Sequence, residues 1–248
     1  MKAFTSIVIW AVLASLTILL FLIEAVLAIV FYPFDKKKKF LHAQCFWWAK
    51  AVIGCNPYWN AQISGLENID KNKAYVIVAN HQSLADIVIM YKTHAQFKWV
   101  AKESLFAIPF IGWCLSLTKH IKLSRGNLGS IKKAYQEAVY WLRKDMSVVF
   151  FPEGTRSGNG KIGKFQSGAF KLAIQEKRPI LPIAIDGTRE AIPKGSWIFK
   201  TKVKGKLIVL KPIETENLQA EDFISLRDIT HEKIEFLAAR GAVKDGEL

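Results

Sequence analysis

Acidic residues are scarce in this sequence: its 248 residues hold 21 Asp and Glu against 35 Lys and Arg, a formal net charge of +14. Cysteine is scarcer still. Cys45, Cys55 and Cys114 form no CxxC pair, and an odd three does not make a disulfide framework. They read as reduced thiols, which fits a protein facing the cytosol. No G-x-S-x-G occurs, which argues against a serine hydrolase. Neither cysteine nor a second histidine near His81 supplies a local metal ligand set. Over residues 3–23, AFTSIVIWAVLASLTILLFLI, there is no charge at all.

What is abundant points to a lipid surface. The chain is 51% hydrophobic with a pI near 9.7. Basic and apolar together suit an anionic membrane better than nucleic acid. As a helix, residues 3–23 would be about 31 Å long, close to the roughly 30 Å core of a bilayer. The run is too long for a cleaved signal peptide, so it is expected to be retained. Its apolar character continues past Glu24 to Phe34 and stops at Asp35 and Lys36 to Lys39. One helix of that whole length would be about 48 Å, more than a bilayer core. A second apolar segment, FLHAQCFWWAKAVIGCNPYWN, follows and ends near Asn56 and Pro57. Its Trp47, Trp48 and Trp59 are residues that favour the headgroup interface. The expectation is a helix pair over residues 1–58, seated largely in one leaflet, with a single span as the alternative. Clustered lysines place the tract and residues 59–248 on the cytoplasmic side of the inner membrane.

From about Ala61 short strands alternate with helices. AYVIVAN (74–80), QFKWVAK (96–102), MSVVFFPEG (146–154), PILPIAIDG (179–187) and KLIVLKPI (206–213) read as strands. LADIVIMYK (84–92), a helix opened by Ser130, SGAFKLAIQEK (167–177) with Ser167 as cap, and 222–240 read as helices. SLFAIPFIGWCLSL (104–117) reads as a helix broken at Pro109. The pattern predicts an α/β domain with a mixed, largely parallel sheet. Ligands in such folds favour the carboxyl ends of strands.

His81 follows one strand, and Asp86 lies five residues on. Five residues turn a helix by about 500°, so the two cannot pair on one unbroken helix. They can pair if His81 stands at the strand end and Asp86 in the first turn of the next helix. The acid then holds one ring nitrogen and leaves the other as a proton acceptor, the logic of a general base. The alternative is an Asp86 that merely caps the helix. The second constellation is FPEGTRS (151–157). Arg156 offers a planar fork for phosphate, Gly154 permits an unusual turn, and Glu153 can position Arg156 or a hydroxyl. The alternative there is an ordinary turn with an exposed arginine. GNGKIG (158–163) matches G-x-G-x-x-G but follows no strand and opens no helix, so a loop beside the site is expected rather than a dinucleotide fingerprint.

NHQSLAD followed by FPEGTRS resembles the glycerolipid acyltransferase family, most of all its bacterial 1-acylglycerol-3-phosphate acyltransferases. KESLFAIPFIGW (102–113), LSRGN (123–127) and RPILPIAI (178–185) resemble further family blocks, in order, over roughly residues 60–190. The resemblance implies a glycerol-3-phosphate acyltransferase-like fold and a transfer from a fatty acyl thioester to the free hydroxyl of 1-acyl-sn-glycerol 3-phosphate. It implies His81 and Asp86 as catalytic residues. Lys102, Arg125 and Arg156 would hold phosphate, and Glu153, Gly154 and Thr155 complete the substrate site. It implies no metal and no ATP; the co-substrate is acyl-coenzyme A or acyl-acyl carrier protein. Rival readings are a different acceptor, glycerol 3-phosphate or another lysophospholipid, and a non-catalytic adaptor for anionic lipid.

Overall fold

The computed structural model describes residues 2–56, 58–157, 161–192, 195–200 and 202–240. The uncharged run forms a single helix, α1 (Lys2–Val30). Ser6, Thr17 and Glu24 are buried, while Ile7, Leu19, Leu22, Val26 and Ile29, with the smaller Thr5 and Ser15, are exposed. Steps of eleven and seven residues keep those three within about 20° of one line along the helix. That line faces protein. Ser6 Oγ accepts the Phe199 amide at 2.9 Å, Thr17 Oγ1 accepts Trp48 Nε1 at 3.2 Å, and Glu24 Oε1 lies 3.9 Å from Cys45 Sγ. Among the described residues α1 alone is long and apolar enough to cross a membrane.

The expected second helix, α2 (Lys39–Gly54), is shorter and buries Leu41, His42, Cys45, Ala49 and Val52. Asp35 starts it. The carboxylate is buried and accepts the amides of Lys39, Phe40 and Leu41 at 2.7, 3.1 and 3.3 Å, an acid where the helix dipole favours one. The helix ends at Gly54; Pro57, expected near its end, lies outside the described residues.

Seven strands follow: β1 (Trp59–Ser64), β2 (Val76–Ala79), β3 (Phe97–Lys102), β4 (Ile121–Leu123), β5 (Ser147–Phe150), β6 (Ile180–Asp186) and β7 (Val203–Val209). They form one sheet in the order β1-β7-β6-β2-β5-β3-β4. Only β6 and β7 pair antiparallel, so the sheet is mixed and largely parallel. Between the strands run α3 (Ala85–Tyr91), α4 (Glu103–Phe106), α5 (Ile111–Leu117), α6 (Leu128–Arg143), α7 (Gly168–Gln175) and, last, α8 (Phe223–Arg240). Helices α6, α7 and α8 pack one face of the sheet through Ala138, Leu142, Phe170, Leu226 and Ile234. Helices α2 and α3 cover the other through Cys45, Ala49, Ile89 and Met90. With both faces covered, β2 is buried at every residue, which is why it reads as a continuous apolar run.

Several local expectations are corrected. Ser130 does not cap α6. Asn127 does, its Oδ1 accepting the Ser130 amide at 2.9 Å, while Ser130 Oγ accepts the Ser124 amide at 2.8 Å. Ser167 occupies the cap position of α7 without making a side-chain capping bond. β7 begins at Val203 rather than Lys206. Trp59 belongs to β1, with its Nε1 bonded to Lys200 O at 3.1 Å. Both β1 and β4 have no counterpart in the sequence pattern.

Candidate active site

Parallel pairing of β4, β3, β5, β2 and β6 brings their carboxyl ends to one edge of the sheet. Along that edge lie Arg125 just past β4, Lys102 at the end of β3, Glu153 to Arg156 after β5, His81 after β2 and Thr188 after β6. Strand β2 stops because Asn80 turns its amide onto β6. Its Nδ2 donates to Ile185 O and its Oδ1 accepts Ile185 N, both at 2.8 Å.

His81 lies in the loop that follows, and Asp86 in the first turn of α3. Asp86 Oδ2 accepts His81 Nδ1 at 2.8 Å, the Gln82 amide at 2.6 Å and the Ser83 amide at 2.8 Å. The pairing and capping readings of Asp86 are therefore both present in one carboxylate. It is wholly buried, and its Oδ1 accepts the hydroxyl of Thr188. An ionised carboxylate only accepts, so Nδ1 carries the proton and Nε2 is left as the basic nitrogen. The imidazole stacks on Phe151 at 4.1 Å and 14° between planes, and Phe151 stacks on Trp99 at 5.5 Å.

Glu153 ties two loops together. Its Oε1 accepts the His81 amide at 2.7 Å and its Oε2 the Gly163 amide at 2.8 Å. Ser157 N donates back to His81 O at 2.9 Å. Burial raises the Glu153 carboxyl above its ordinary value, and the two amide bonds oppose that rise. Gly154 has φ +72°, and a β-carbon there would lie 3.9 Å from Arg125 Cζ, so the arginine head lies beside the bare turn. Residues 158–160 of the GNGKIG stretch lie outside the described residues.

His81, Lys102, Arg125, Glu153, Gly154 and Thr155 all line one cleft of about 1200 Å³. Arg156 is half-buried on the same loop and is not among the lining residues. The rest of the lining is largely apolar and includes Leu13, Trp48, Val88, Leu105, Phe110 and Leu123. Helix α1 thus forms part of the cleft wall. The sequence reading gave no part to Phe151 or Thr188. The one signal for Thr188 was its place directly after Gly187, at the end of the last strand to join the parallel set.

A family profile described as Acyltransferase matches residues 60–186. A chloroplastic 1-acyl-sn-glycerol-3-phosphate acyltransferase of Arabidopsis thaliana is 34% identical over 201 residues, covering 81% of this chain and 55% of that protein. A 1-acyl-sn-glycerol-3-phosphate acyltransferase of Pseudomonas aeruginosa is 34% identical over 152 residues, covering 61% of this chain and 57% of that protein. The chain spans about half the length of the curated relatives it matches. The crystal structure of a 1-acyl-sn-glycerophosphate acyltransferase from Thermotoga maritima superposes with a TM-score of 0.73 at 28% identity, over 98% of this chain and 100% of that one. With a profile match over just over half its length and the HxxxxD pair closed within it, the chain belongs to the acyltransferase family.

Proposed function

We propose that this chain transfers a fatty acyl group from an acyl thioester to the free hydroxyl of 1-acyl-sn-glycerol 3-phosphate, producing phosphatidic acid. The observation that carries the reading is the His81–Asp86 pair at 2.8 Å, opening onto an apolar cleft that shares its edge with Lys102 and Arg125. The names of the relatives favour this acceptor.

The acceptor hydroxyl is far too weak an acid to ionise alone at neutral pH. His81 Nε2 takes its proton as the oxygen bonds to the thioester carbonyl carbon. The buried Asp86 carboxylate steadies the imidazolium that forms. The tetrahedral intermediate collapses, the carbon–sulfur bond breaks, and the leaving thiolate recovers the proton from His81. One ester and one thiol result. The thioester supplies the activation, so neither ATP nor a metal enters the balance. Arg125, Lys102 and Arg156 bind the acceptor phosphate, the guanidinium forks fixing its orientation. The apolar cleft takes acyl chain, and the donor is acyl-coenzyme A or acyl-acyl carrier protein. The exposed apolar side of α1 enters the cytoplasmic leaflet of the inner membrane, where such donors are made.

The test presents purified protein in mixed micelles with lysophosphatidic acid, glycerol 3-phosphate and lysophosphatidylcholine, each with either thioester donor. Thiol release with the highest kcat/KM for lysophosphatidic acid is expected. A higher kcat/KM for glycerol 3-phosphate would overturn the acceptor. No transfer to any acceptor, with anionic lipid still bound, would leave the adaptor reading.

A further inference from the structure

We propose that Thr188 is a positioning residue for the His81–Asp86 pair: its buried hydroxyl fixes the rotation of the Asp86 carboxylate and so the tautomer and aim of His81. This rests on the reading of His81 as the general base.

One oxygen of the Asp86 carboxylate is crowded. Asp86 Oδ2 takes three donors, His81 Nδ1 and the amides of Gln82 and Ser83. A carboxylate oxygen offers about two lone-pair directions. A carboxylate loaded on one side would gain by rotating to share its donors between both oxygens, and that rotation would turn Oδ2 away from His81. The hydroxyl of Thr188 holds Oδ1 and opposes it. No other described side chain donates a hydrogen bond to Oδ1.

Thr188 is itself held on every side. It is 2% exposed. The preceding Gly187 has φ +74°, and a β-carbon there would come within 1.9 Å of Lys204 O, so only glycine lets the chain run this close to β7. A β-carbon on Gly205 would lie 3.3 Å from Thr188 Cγ2, so the methyl is packed against β7 as well. With the methyl wedged, the hydroxyl is turned to Asp86, and the Gln82 Oε1 atom lies 3.4 Å from it. The two hydrogen bonds between Asn80 and Ile185 tie the end of β6 to the end of β2, so the Thr188 turn and the His81 loop keep a fixed separation. Thr188 is not among the residues lining the cleft, so it acts through Asp86 and not on substrate.

Two substitutions separate the hydroxyl from the methyl. Thr188→Val keeps the shape and removes the donor. Thr188→Ser keeps the donor and removes the methyl. Loss of a hydrogen bond to a charged group predicts a kcat lowered about tenfold for Val, with both KM values within about twofold of the parent, and near-parent turnover for Ser. The spectroscopic readout needs no substrate. With the chain's five histidines ¹⁵N-labelled, the His81 signal, identified by its loss in His81→Ala, should report a single Nδ1–H tautomer in the parent and in Thr188→Ser. In Thr188→Val it should report a mixture. If the valine does not fold, Thr188→Cys, a weak donor of similar size, is read in the same way. A serine variant as impaired as the valine one would reduce Thr188 to packing and overturn the proposal. An unmixed tautomer in the valine variant would overturn it too. Because the tautomer is read on resting protein, this outcome is independent of whether His81→Ala abolishes turnover, which tests the base itself.

Discussion

Helix α1 and strand β2 are both nearly pure apolar sequence, yet they are built in opposite senses. In β2 every residue is buried, and the first polar side chain after it, Asn80, is spent on a backbone pairing with β6. In α1 Ser6, Thr17 and Glu24 face protein and much of the apolar surface faces out: Glu24 is 0% exposed and Ile29 is 79% exposed. Apolar surface left in water costs about 25 cal/mol per Å², so an element of this kind is stable only where its surroundings are apolar too. A hydrophobic run therefore states how much it avoids water but not which side of it does so. The polar exceptions carry that information.

The largest effect should come from putting a charge into each element. Ile77→Asp, in a strand residue 1% exposed, buries an unpaired acid and should cost about 4 kcal/mol or more, enough to abolish folding in detergent as in water. Ile29→Lys should leave the thermal midpoint in detergent unchanged and weaken flotation with liposomes. Equal destabilisation by the two would break the comparison.

Next is the site at the end of β2. His81→Ala should lower kcat by at least the ~100-fold typical of a lost general base, in a protein that still folds and floats with liposomes. Asp86→Asn should be milder. Its amide oxygen can still take the Gln82 and Ser83 amides, but the charge opposite the imidazolium is gone. Turnover by stopped thiol release decides both.

A smaller, selective effect is expected from the cations. Arg125→Ala and Arg156→Ala should each raise KM for lysophosphatidic acid about tenfold, with less change for the thioester, as removal of a charge-assisted bond to one substrate requires. Arg125→Lys and Arg156→Lys should recover part of the loss, because a point charge replaces a fork. Equal effects on both substrates would instead make the arginine an organiser of the loop.

Much of this site was legible because it is written in strand ends. His81, Asp86 and the PEGTR loop follow apolar runs that could only be strands, and parallel pairing gathers strand ends without needing long-range information. What was not legible depended on contacts across the sequence. β1 and β4 are a six-residue and a three-residue strand at the two edges of the sheet, where one-sided pairing allows a weak pattern. The cap of α6 was misplaced by three residues because Asn127 and Ser130 are both good caps, and nothing in the helical periodicity shows that Ser130 instead accepts from Ser124, six residues back. Thr188 was invisible because its partner lies 102 residues away. The role of Glu24 was equally hidden: its burial needs Cys45 of α2 beside it.

Smaller again is Glu153→Gln. An amide keeps one acceptor and sets an N–H group against a backbone donor, so one of the two loop ties is lost, and kcat should fall by a few-fold, roughly the worth of one hydrogen bond. The pH dependence has a definite sign. The folded state raises the Glu153 carboxyl above its ordinary 4.5. The folded state therefore holds that proton more tightly than the unfolded chain. The associated stability is present below 4.5 and is lost as pH rises through the higher folded value. Glutamine cannot titrate, so Glu153→Gln should flatten that part of a thermal-midpoint profile. A slope unchanged in the variant would assign it to other groups.

The mildest perturbation, a tag at either terminus, asks how the two elements sit together at a membrane. From Ser6 to Glu24 the inward line of α1 is about 27 Å long, and it is bonded to the domain near both ends, at Phe199 and at Cys45. A helix crossing the bilayer alone would have to surrender those contacts. It would also carry Glu24 into hydrocarbon, where an acid costs about 3 kcal/mol or more near the centre. A helix lying along the membrane surface keeps them, with Ile7, Leu19, Leu22 and Val26 in lipid and the polar line against the domain. On the proposed cytoplasmic placement, the lysines at 36–39 would meet anionic headgroups there. With that arrangement, protease added to intact spheroplasts should spare a tag at Met1 and a tag at Leu248 alike, while both are cut after lysis. Cleavage of the N-terminal tag alone would establish a span and detach α1 from the wall of the cleft. Cleavage of the C-terminal tag would move the whole site to the opposite side of the membrane, away from its acyl thioesters.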